Sequence, residues 1–215
     1  MVPPLDEIVW TIVVAGGSGQ RFGGAKQYEH LGPLRVVDLA VEAARAASHG
    51  VVLVVPPADA EREGGVPGGA TRSKSVRAGL AAVPDDASII CVHDAARPFA
   101  TTALFDEVIA AVRAGADGAV PGVPVADTIK RIDAAGLVVE TPPRESLVAV
   151  QTPQAFRAAS LRIAHALGGE ATDDAALVEA NGGRVVVVPG DPTNRKLTHP
   201  NDLWWARDRV AEELR

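Results

Sequence analysis

The sequence predicts a doubly wound α/β fold built on a mostly parallel sheet. Two observations support this prediction: short, almost wholly apolar runs alternate with amphipathic stretches, and the runs are apolar at successive positions. Strands that are apolar on both sides are typical of a sheet covered by helices on both faces. Since βαβ connections are right-handed, successive helices can be divided between the two faces.

Four apolar runs predict the strands Val9–Ala15, Val51–Pro56, Ser88–His93 and Arg184–Pro189. The amphipathic stretches between and after them predict helices, and some follow capping residues such as Thr101. The predicted helices are Val36–Ala47, Ser73–Ala82, Thr102–Ala114, Phe156–Leu167, Asp173–Asn181 and Pro200–Leu214.

Residues 120–154 break this alternation. The segments "DTIKRID" and "LVVETP" flank "AAG", which is typical of a β-hairpin. We therefore expect a single domain over residues 1–215 with a projecting β-arm at about 122–150. A projecting arm often clasps a partner subunit.

The composition excludes several classes of protein. Of 215 residues 47% are hydrophobic, and 21 basic against 27 acidic residues give a net charge of −6, which argues against a general nucleic-acid binder. The single Cys91 predicts core packing in a reducing compartment. The first residues lack the basic start of a signal peptide, and no apolar run approaches the roughly 20 residues of a membrane span. We expect a cytoplasmic protein with neither membrane nor nucleic-acid partners.

The stretch "VVAGGSGQRFGGAKQY" after the first strand is rich in glycine and carries two cations. It is not a dinucleotide-binding G-x-G-x-x-G, because Phe22 takes the place of the last glycine. Nor is it an ATP-binding loop, because Ala25 precedes the lysine and Gln27 stands in the Ser/Thr position. A plain strand–helix turn is the alternative. Backbone N–H groups beside cations predict a phosphate site, formed by Gly16, Gly17, Gly19, Arg21 and Lys26.

The segment "HDAARP" follows the third predicted strand and should meet the glycine loop, since ligands bind at the carboxyl ends of such strands. Asp94 has no fixed partner nearby in sequence, so it is a candidate magnesium ligand beside a phosphate site. A helix N-cap is the alternative for Asp94. Arg97 adds a cation to this edge, whereas His93 is more typical of a structural residue.

Several stretches occur in the order found in the 2-C-methyl-D-erythritol 4-phosphate cytidylyltransferase family, which the chain resembles over nearly its whole length. They are "AGGSGQRFGGAKQ", "GGATRSKSVRAGL", "VHDAARP", "DTIKR", "TPPRESL", "QTPQAF", "TDDAALVE" and "NRKLTHPNDL". The resemblance implies a Rossmann-like fold of the nucleotidyltransferase type. It also implies that CTP and methylerythritol phosphate react to give the CDP-linked alcohol and pyrophosphate. Such chemistry needs cations and Mg²⁺ rather than a covalent nucleophile.

The resemblance also implies roles for particular residues. The loop Ala15–Gly19, including Ser18, would wrap the triphosphate, and Asp94 would hold Mg²⁺. The implied catalytic residues are Arg21, Lys26 and Lys196. The residues implied for reading the cytosine and ribose are Gly69, Arg72, Ser75 and Ala95. The residues implied for the second substrate are Arg97, Thr128, Arg144, Thr152, Thr172, Asp173 and Lys196. Arg144 would reach the neighbouring site of a homodimer.

The loop departs from the family pattern. Only four residues separate Arg21 from Lys26, Ala25 replaces a proline and Phe22 replaces a methionine. The short spacing raises the question whether Lys26 reaches the phosphates.

Three alternatives stay open. A ribitol-5-phosphate cytidylyltransferase would have the same chemistry, but "HDAARP" and "TDDAAL" favour methylerythritol phosphate. A guanylyltransferase of the molybdenum-cofactor type would share only the glycine-rich start. A nucleotide-binding module without catalysis has the short loop as its only support.

Overall fold

A mixed sheet of eight strands forms the centre of the protein in the computed structural model, which describes residues 7–17 and 22–213. In chain order the strands are β1 (Val9–Val14), β2 (His30–Leu31), β3 (Leu34–Arg35), β4 (Gly50–Val55), β5 (Val66–Pro67), β6 (Ile89–Asp94), β7 (Gly118–Pro124), β8 (Arg131–Ile132), β9 (Val138–Glu140), β10 (Val148–Val150), β11 (Gln154–Arg157) and β12 (Val185–Pro189). The α-helices are α1 (Val36–Ala47), α2 (Ala60–Glu63), α3 (Arg72–Leu80), α4 (Thr102–Arg113), α5 (Ala158–Ala166), α6 (Asp174–Ala180) and α7 (Pro200–Glu213).

The sheet is parallel through β5, β4, β1 and β6, in that spatial order. Next to β6 lies β11, which is antiparallel to both β6 and β7, and β12 pairs with β7 in parallel. The two small remaining sheets are β2–β3 and β8–β9.

The first strand shows how the sheet separates two apolar cores. Val9 and Val13 pack with α1 and α4, whereas Ile12 packs on the opposite face with α3, α5 and α6. Because side chains alternate across a strand, an apolar run is buried on both faces only when helices cover both. The predicted doubly wound arrangement is therefore confirmed.

The predicted strands are all present, with ends that differ by one residue at most, and α1 has the predicted bounds. Thr101 caps α4, its hydroxyl accepting a hydrogen bond from the Leu104 N–H at 3.3 Å. The prediction of a helix beginning at Phe156 was wrong at its start. Phe156 belongs to β11, where it pairs with Ile90, and α5 begins only at Ala158.

Strand β7 was not predicted, because the two glycines and two prolines of "GAVPGVP" are typical of a loop. A Cβ at Gly118 would lie 2.7 Å from the ring of Phe156. Glycine therefore allows the aromatic side chain of β11 to pack directly across the neighbouring strand.

The arm extends from the sheet between β7 and β10. The predicted hairpin is present, since β8 pairs antiparallel with β9, and the two ends of the predicted arm pair with each other as β7 and β10. Among the described residues, seven of the eleven exposed large apolar side chains lie on this segment, so the arm is the main apolar surface of the chain. They are Ile129, Ile132, Leu137, Val138, Val139, Val148 and Val150.

Cys91 lies in the core beside α4, as predicted, and burial raises the pKa of its thiol to about 12. No helix within residues 7–17 and 22–213 combines the length and apolar character that crossing a bilayer requires.

Candidate active site

The glycine loop and "HDAARP" meet at one edge of the sheet, as predicted. β1 and β6 are parallel neighbours in which Val14 is aligned with Asp94, so Ala15 and Ala95 leave the sheet side by side. The Ala95 N–H donates to the Val14 carbonyl at 3.0 Å, and the Ala15 N–H donates to the Val54 carbonyl at 2.7 Å. These bonds fix where the two loops begin.

A cavity of about 590 Å³ opens at this edge. Its volume lies within the range of small-ligand sites, roughly 300–1,000 Å³. Ten of the residues implicated by sequence line it: Ala15, Gly16, Gly17, Lys26, Gly69, Arg72, Ser75, Asp94, Ala95 and Lys196. The other residues proposed for the loop, Ser18, Gly19 and Arg21, lie outside the described residues.

Asp94 is held between two cations in the cavity wall. Its Oδ1 accepts from Arg72 Nε at 3.1 Å, and its Oδ2 accepts from Lys196 Nζ at 2.6 Å. Neither partner is near Asp94 in sequence, as expected, because they lie 22 and 102 residues away, and only the fold brings them to it. The N-cap alternative fails, since Asp94 ends β6 and the next helix, α4, begins at Thr102.

The electrostatics of this cluster follow from burial and charge together. Burial alone would raise the pKa of Asp94, which is 8% exposed, but Arg72 and Lys196 hold that pKa well below its usual range. Burial alone would lower the pKa of Arg72, but Asp94 and Asp174 raise it above its usual value. Asp94 is therefore ionised and Arg72 is protonated throughout the physiological pH range.

The loop carrying Lys196 is fixed on both sides. The Leu197 N–H donates to the Ala96 carbonyl at 2.7 Å, and the Leu197 side chain is fully buried against α7. Asn194, also fully buried, donates from Nδ2 to the Thr152 carbonyl at 2.9 Å. These contacts bring Lys196 to Asp94. Sequence reasoning missed Asn194, although it begins the quoted segment "NRKLTHPNDL".

Lys26 lines the cavity from a short 3₁₀ turn, Lys26–Tyr28. Its Nζ donates to the Leu197 carbonyl at 2.6 Å, so it spans the opening towards the loop of Lys196. The turn is anchored by Tyr28, whose hydroxyl donates to Asp59 at 2.9 Å. Burial, with the Asp59 hydrogen bond, raises the pKa of Tyr28 to about 12. Thus Lys26 reaches the cavity despite the short spacing from Arg21.

Gly69 and Ser75 shape the opposite wall. The Ser75 hydroxyl accepts from the Gly69 N–H at 3.1 Å and lies 3.0 Å from the Thr71 carbonyl, to which it donates. A Cβ at Gly69 would lie 2.4 Å from Lys74 Cβ, so only glycine fits there. Ser75 thus holds the loop in place through its own hydroxyl, while the backbone of the loop faces the cavity.

Arg97 is a half-buried cation whose guanidinium donates to two backbone carbonyl oxygens. Nη1 donates to the Asn194 carbonyl at 2.7 Å and Nη2 to the Val150 carbonyl at 3.2 Å. Its buried Nε has no hydrogen-bond partner among the described residues. Burial lowers the pKa of Arg97, an effect that nearby Asp94 partly offsets. A partly desolvated guanidinium of this kind favours an anionic ligand.

The other residues implied for the second substrate do not line the cavity. Thr152 is buried, and its hydroxyl accepts from the Asp94 N–H at 3.0 Å and contacts His93 Nδ1 at 3.1 Å. Asp173 caps α6 through the Ala176 N–H and accepts from Gln154 Nε2 at 3.0 Å. Thr172 is exposed.

Two further residues, Thr128 and Arg144, lie exposed on the arm. Arg144 Nη1 donates to the Ala126 carbonyl within the arm at 3.0 Å. Within this chain, neither residue lines the cavity. His93, in contrast, is fully buried, and burial lowers its pKa to about 4, which agrees with a structural role.

The donor set fits a magnesium ion that arrives with a nucleotide. No group of three or more metal-binding side chains occurs within the described part of the chain, so these residues form no all-protein cage. Mg²⁺ is commonly held by one or two carboxylates together with substrate phosphates. The single carboxylate of Asp94, beside a glycine loop at the cavity wall, meets that requirement.

The cavity places cations around one carboxylate at the end of a parallel strand, and this arrangement suits phosphate chemistry on a nucleotide. The fold and the site together are those of a nucleotidyltransferase. Residues 9–212 match the family described as 2-C-methyl-D-erythritol 4-phosphate cytidylyltransferase. The chain belongs to this family.

Relatives and solved structures agree with this assignment. The chain is 44% identical to the 2-C-methyl-D-erythritol 4-phosphate cytidylyltransferase of Nocardia farcinica, covering 97% of this chain and 94% of the relative. It is also 44% identical to that of Rhodococcus opacus, covering 95% and 96%. The crystal structure of the enzyme from Thermus thermophilus is similar with a TM-score of 0.80 at 34% identity, covering 93% of this chain and 98% of the other.

Proposed function

We propose that the protein transfers the cytidylyl group of CTP to 2-C-methyl-D-erythritol 4-phosphate, giving 4-diphosphocytidyl-2-C-methyl-D-erythritol and pyrophosphate in non-mevalonate isoprenoid biosynthesis. The observation that carries the proposal is the cluster of Arg72, Asp94 and Lys196 at the cavity wall, in a chain that belongs to the cytidylyltransferase family.

The reaction is a displacement at phosphorus. A phosphate oxygen of the sugar phosphate attacks the α-phosphorus of CTP, a new P–O bond forms, and the bond to the β-phosphate oxygen breaks to release pyrophosphate. The protein has to bring two anions together and stabilise the charge that develops between them. In this proposal the backbone of Ala15–Gly19 cradles the triphosphate, and Arg21 and Lys26 stabilise the transition state.

The nucleoside would lie along the wall formed by Gly69, Arg72 and Ser75, with the ribose against Ala95. This wall is rigid because Ser75 holds the loop and Arg72 is fixed by two carboxylates. A rigid wall lowers the conformational entropy lost on binding.

We propose that Asp94 holds Mg²⁺ together with the phosphates of CTP. When bound, the ion screens the phosphate charge. Lys196, whose side chain is 39% exposed, can leave Asp94 for the substrate phosphate more readily than the more deeply set Arg72 can. Lys196 therefore serves both the reaction and the second substrate.

The second substrate would bind beyond Asp94, near Arg97. Its phosphate is a suitable acceptor for the half-buried guanidinium of Arg97. Thr172 and Asp173 would contact the polyol, and Thr152 would act through its hydrogen bond to the Asp94 backbone.

We also propose a homodimer in which the arm supplies Thr128 and Arg144 to the neighbouring site. The exposed apolar side chains of the arm support this, since such a patch marks an interaction surface. Arg144 would then bind the substrate phosphate of the partner subunit. The single reduced Cys91 is consistent with work in the cytoplasm.

A pyrophosphate-release assay tests the proposed function. Turnover should require CTP, methylerythritol phosphate and Mg²⁺ together. Equal turnover of ribitol 5-phosphate would instead indicate the sister activity, and CTP binding without turnover of either polyol phosphate would indicate a non-catalytic module.

A further inference from the structure

Behind Arg72 lies a buried pair, Asp174 and His165, which the mechanism above does not use. Asp174 is fully buried at the start of α6, and His165 is 2% exposed near the end of α5. Asp174 Oδ2 accepts from Arg72 Nη1 at 2.7 Å, and Asp174 Oδ1 lies 3.0 Å from His165 Nε2. Because an ionised carboxylate only accepts, the His165 Nε2 carries the hydrogen.

The pair gives Arg72 a fixed orientation. The Arg72 guanidinium donates from Nη1 to Asp174 on one side and from Nε to Asp94 on the other. Within the described residues no protein group accepts from its Nη2, and Arg72 lines the cavity with its side chain 22% exposed. The remaining donors of the guanidinium are thus available to a ligand in the cavity.

A buried carboxylate is costly unless its oxygens are satisfied, and both oxygens of Asp174 are. His165 completes this arrangement, since its hydrogen bond keeps Asp174 Oδ2 turned to Arg72. An arginine side chain without these partners would lose conformational entropy each time the nucleotide binds. A side chain that is already fixed does not lose it again.

We propose that Asp174 and His165 are positioning residues that hold the Arg72 guanidinium against the nucleotide, so that their loss weakens CTP binding far more than it slows the chemical step. This inference rests on the proposed function, because it takes the nucleotide in the cavity to be CTP. It gives the second aspartate of "TDD" a role distinct from that of Asp173, which caps α6 and contacts Gln154.

The first experiment compares Asp174→Asn with the wild type by calorimetric titration of CTP and by steady-state kinetics. The asparagine keeps the shape but loses the charge, so the Kd and KM for CTP should rise about 10-fold. The kcat and the KM for methylerythritol phosphate at saturating CTP should change by less than about threefold. Asp208→Asn, the same change at an exposed aspartate of α7, is the matched control and should match the wild type.

The second experiment tests His165, and its result does not depend on whether Asp174→Asn folds. His165→Gln can still donate to Asp174, whereas His165→Phe cannot, so only the phenylalanine variant should weaken CTP binding. Thermal melting of both variants checks that the fold is intact. A residue that only stabilised the fold would lower the melting temperature and leave the ratio of KM to kcat unchanged.

The results that overturn the proposal are distinct from those that overturn the function. If the wild type binds CTP and folded Asp174→Asn binds it equally well, the positioning role is wrong. Equal CTP binding by the two His165 variants would remove His165 from the role. If the wild type itself fails to bind CTP, the proposed function fails.

Discussion

Replacing Asp94 with asparagine should lower the stability of the fold. Asp94 accepts from Arg72 at 3.1 Å and from Lys196 at 2.6 Å, and the amide of asparagine would turn a donor towards one of these cations. Removing one partner of a fully buried ion pair costs about 3–5 kcal/mol. The loss here should be smaller, because Arg72 keeps Asp174 at 2.7 Å and Lys196 is 39% exposed. We expect a decrease of about 1–3 kcal/mol in the free energy of unfolding.

Urea denaturation without metal or nucleotide measures the stability effect. For a chain of this size, the decrease corresponds to about 2–12 °C in the melting temperature. Asp85→Asn is the matched control, because the Asp85 carboxylate is fully exposed and lies 3.9 Å from its partner Arg162. That variant should stay within about 0.5 kcal/mol of the wild type.

The stability difference between the wild type and Asp94→Asn should depend on pH. The pKa of Asp94 is lowered in the folded state, so its stabilising effect is complete above its ordinary value of 3.8 and is lost as the pH falls below that value. The difference in stability between the wild type and Asp94→Asn should therefore be constant above about pH 5 and shrink progressively as the pH falls below that value. A stability difference that is absent at neutral pH, or that grows on acidification, would refute the electrostatic reasoning.

Three further predictions concern the lysine, its supporting turn and the arm. Lys26→Ala should lower kcat about 10²–10³-fold with a far smaller change in the Kd for CTP, and an unchanged kcat would remove Lys26 from the chemistry. Tyr28→Phe deletes the 2.9 Å hydrogen bond to Asp59. Urea denaturation should show a free energy of unfolding lower by about 1 kcal/mol. An unaltered denaturation midpoint would mean that this hydrogen bond does not stabilise the fold. Mixing Arg144→Ala with Lys26→Ala subunits should restore part of the activity in hybrid dimers, and no recovery would indicate that Arg144 does not act in the neighbouring site.

Local sequence patterns were sufficient for much of the fold. β1 and β6 were predicted because their apolar runs reflect burial on both faces, and the parallel pairing of such strands brings Asp94 beside the glycine loop. β7 and β11 were not predicted. The glycines and prolines of β7 hide its strand character, and β11 is a strand only because β6 and β7 flank it.

The cavity lining was also largely predictable, but the partners within it were not. Arg72 was implicated through the family resemblance, yet its contact with Asp174 joins residues 102 positions apart. The same holds for Lys196 and Asp94. No local pattern specifies which carboxylate meets which cation, because the tertiary packing of α3, β6 and α6 decides it.

The most direct measurement of the central claim follows the α-phosphorus of CTP. With CTP labelled at that phosphorus, methylerythritol phosphate and Mg²⁺, we predict that all transferred label appears in a diphosphate-linked product, with one unlabelled pyrophosphate released per turnover. ³¹P NMR should show two coupled phosphorus signals in that product. Label in the released pyrophosphate, or labelled CMP formed without a coupled product, would contradict transfer of a cytidylyl group at this site.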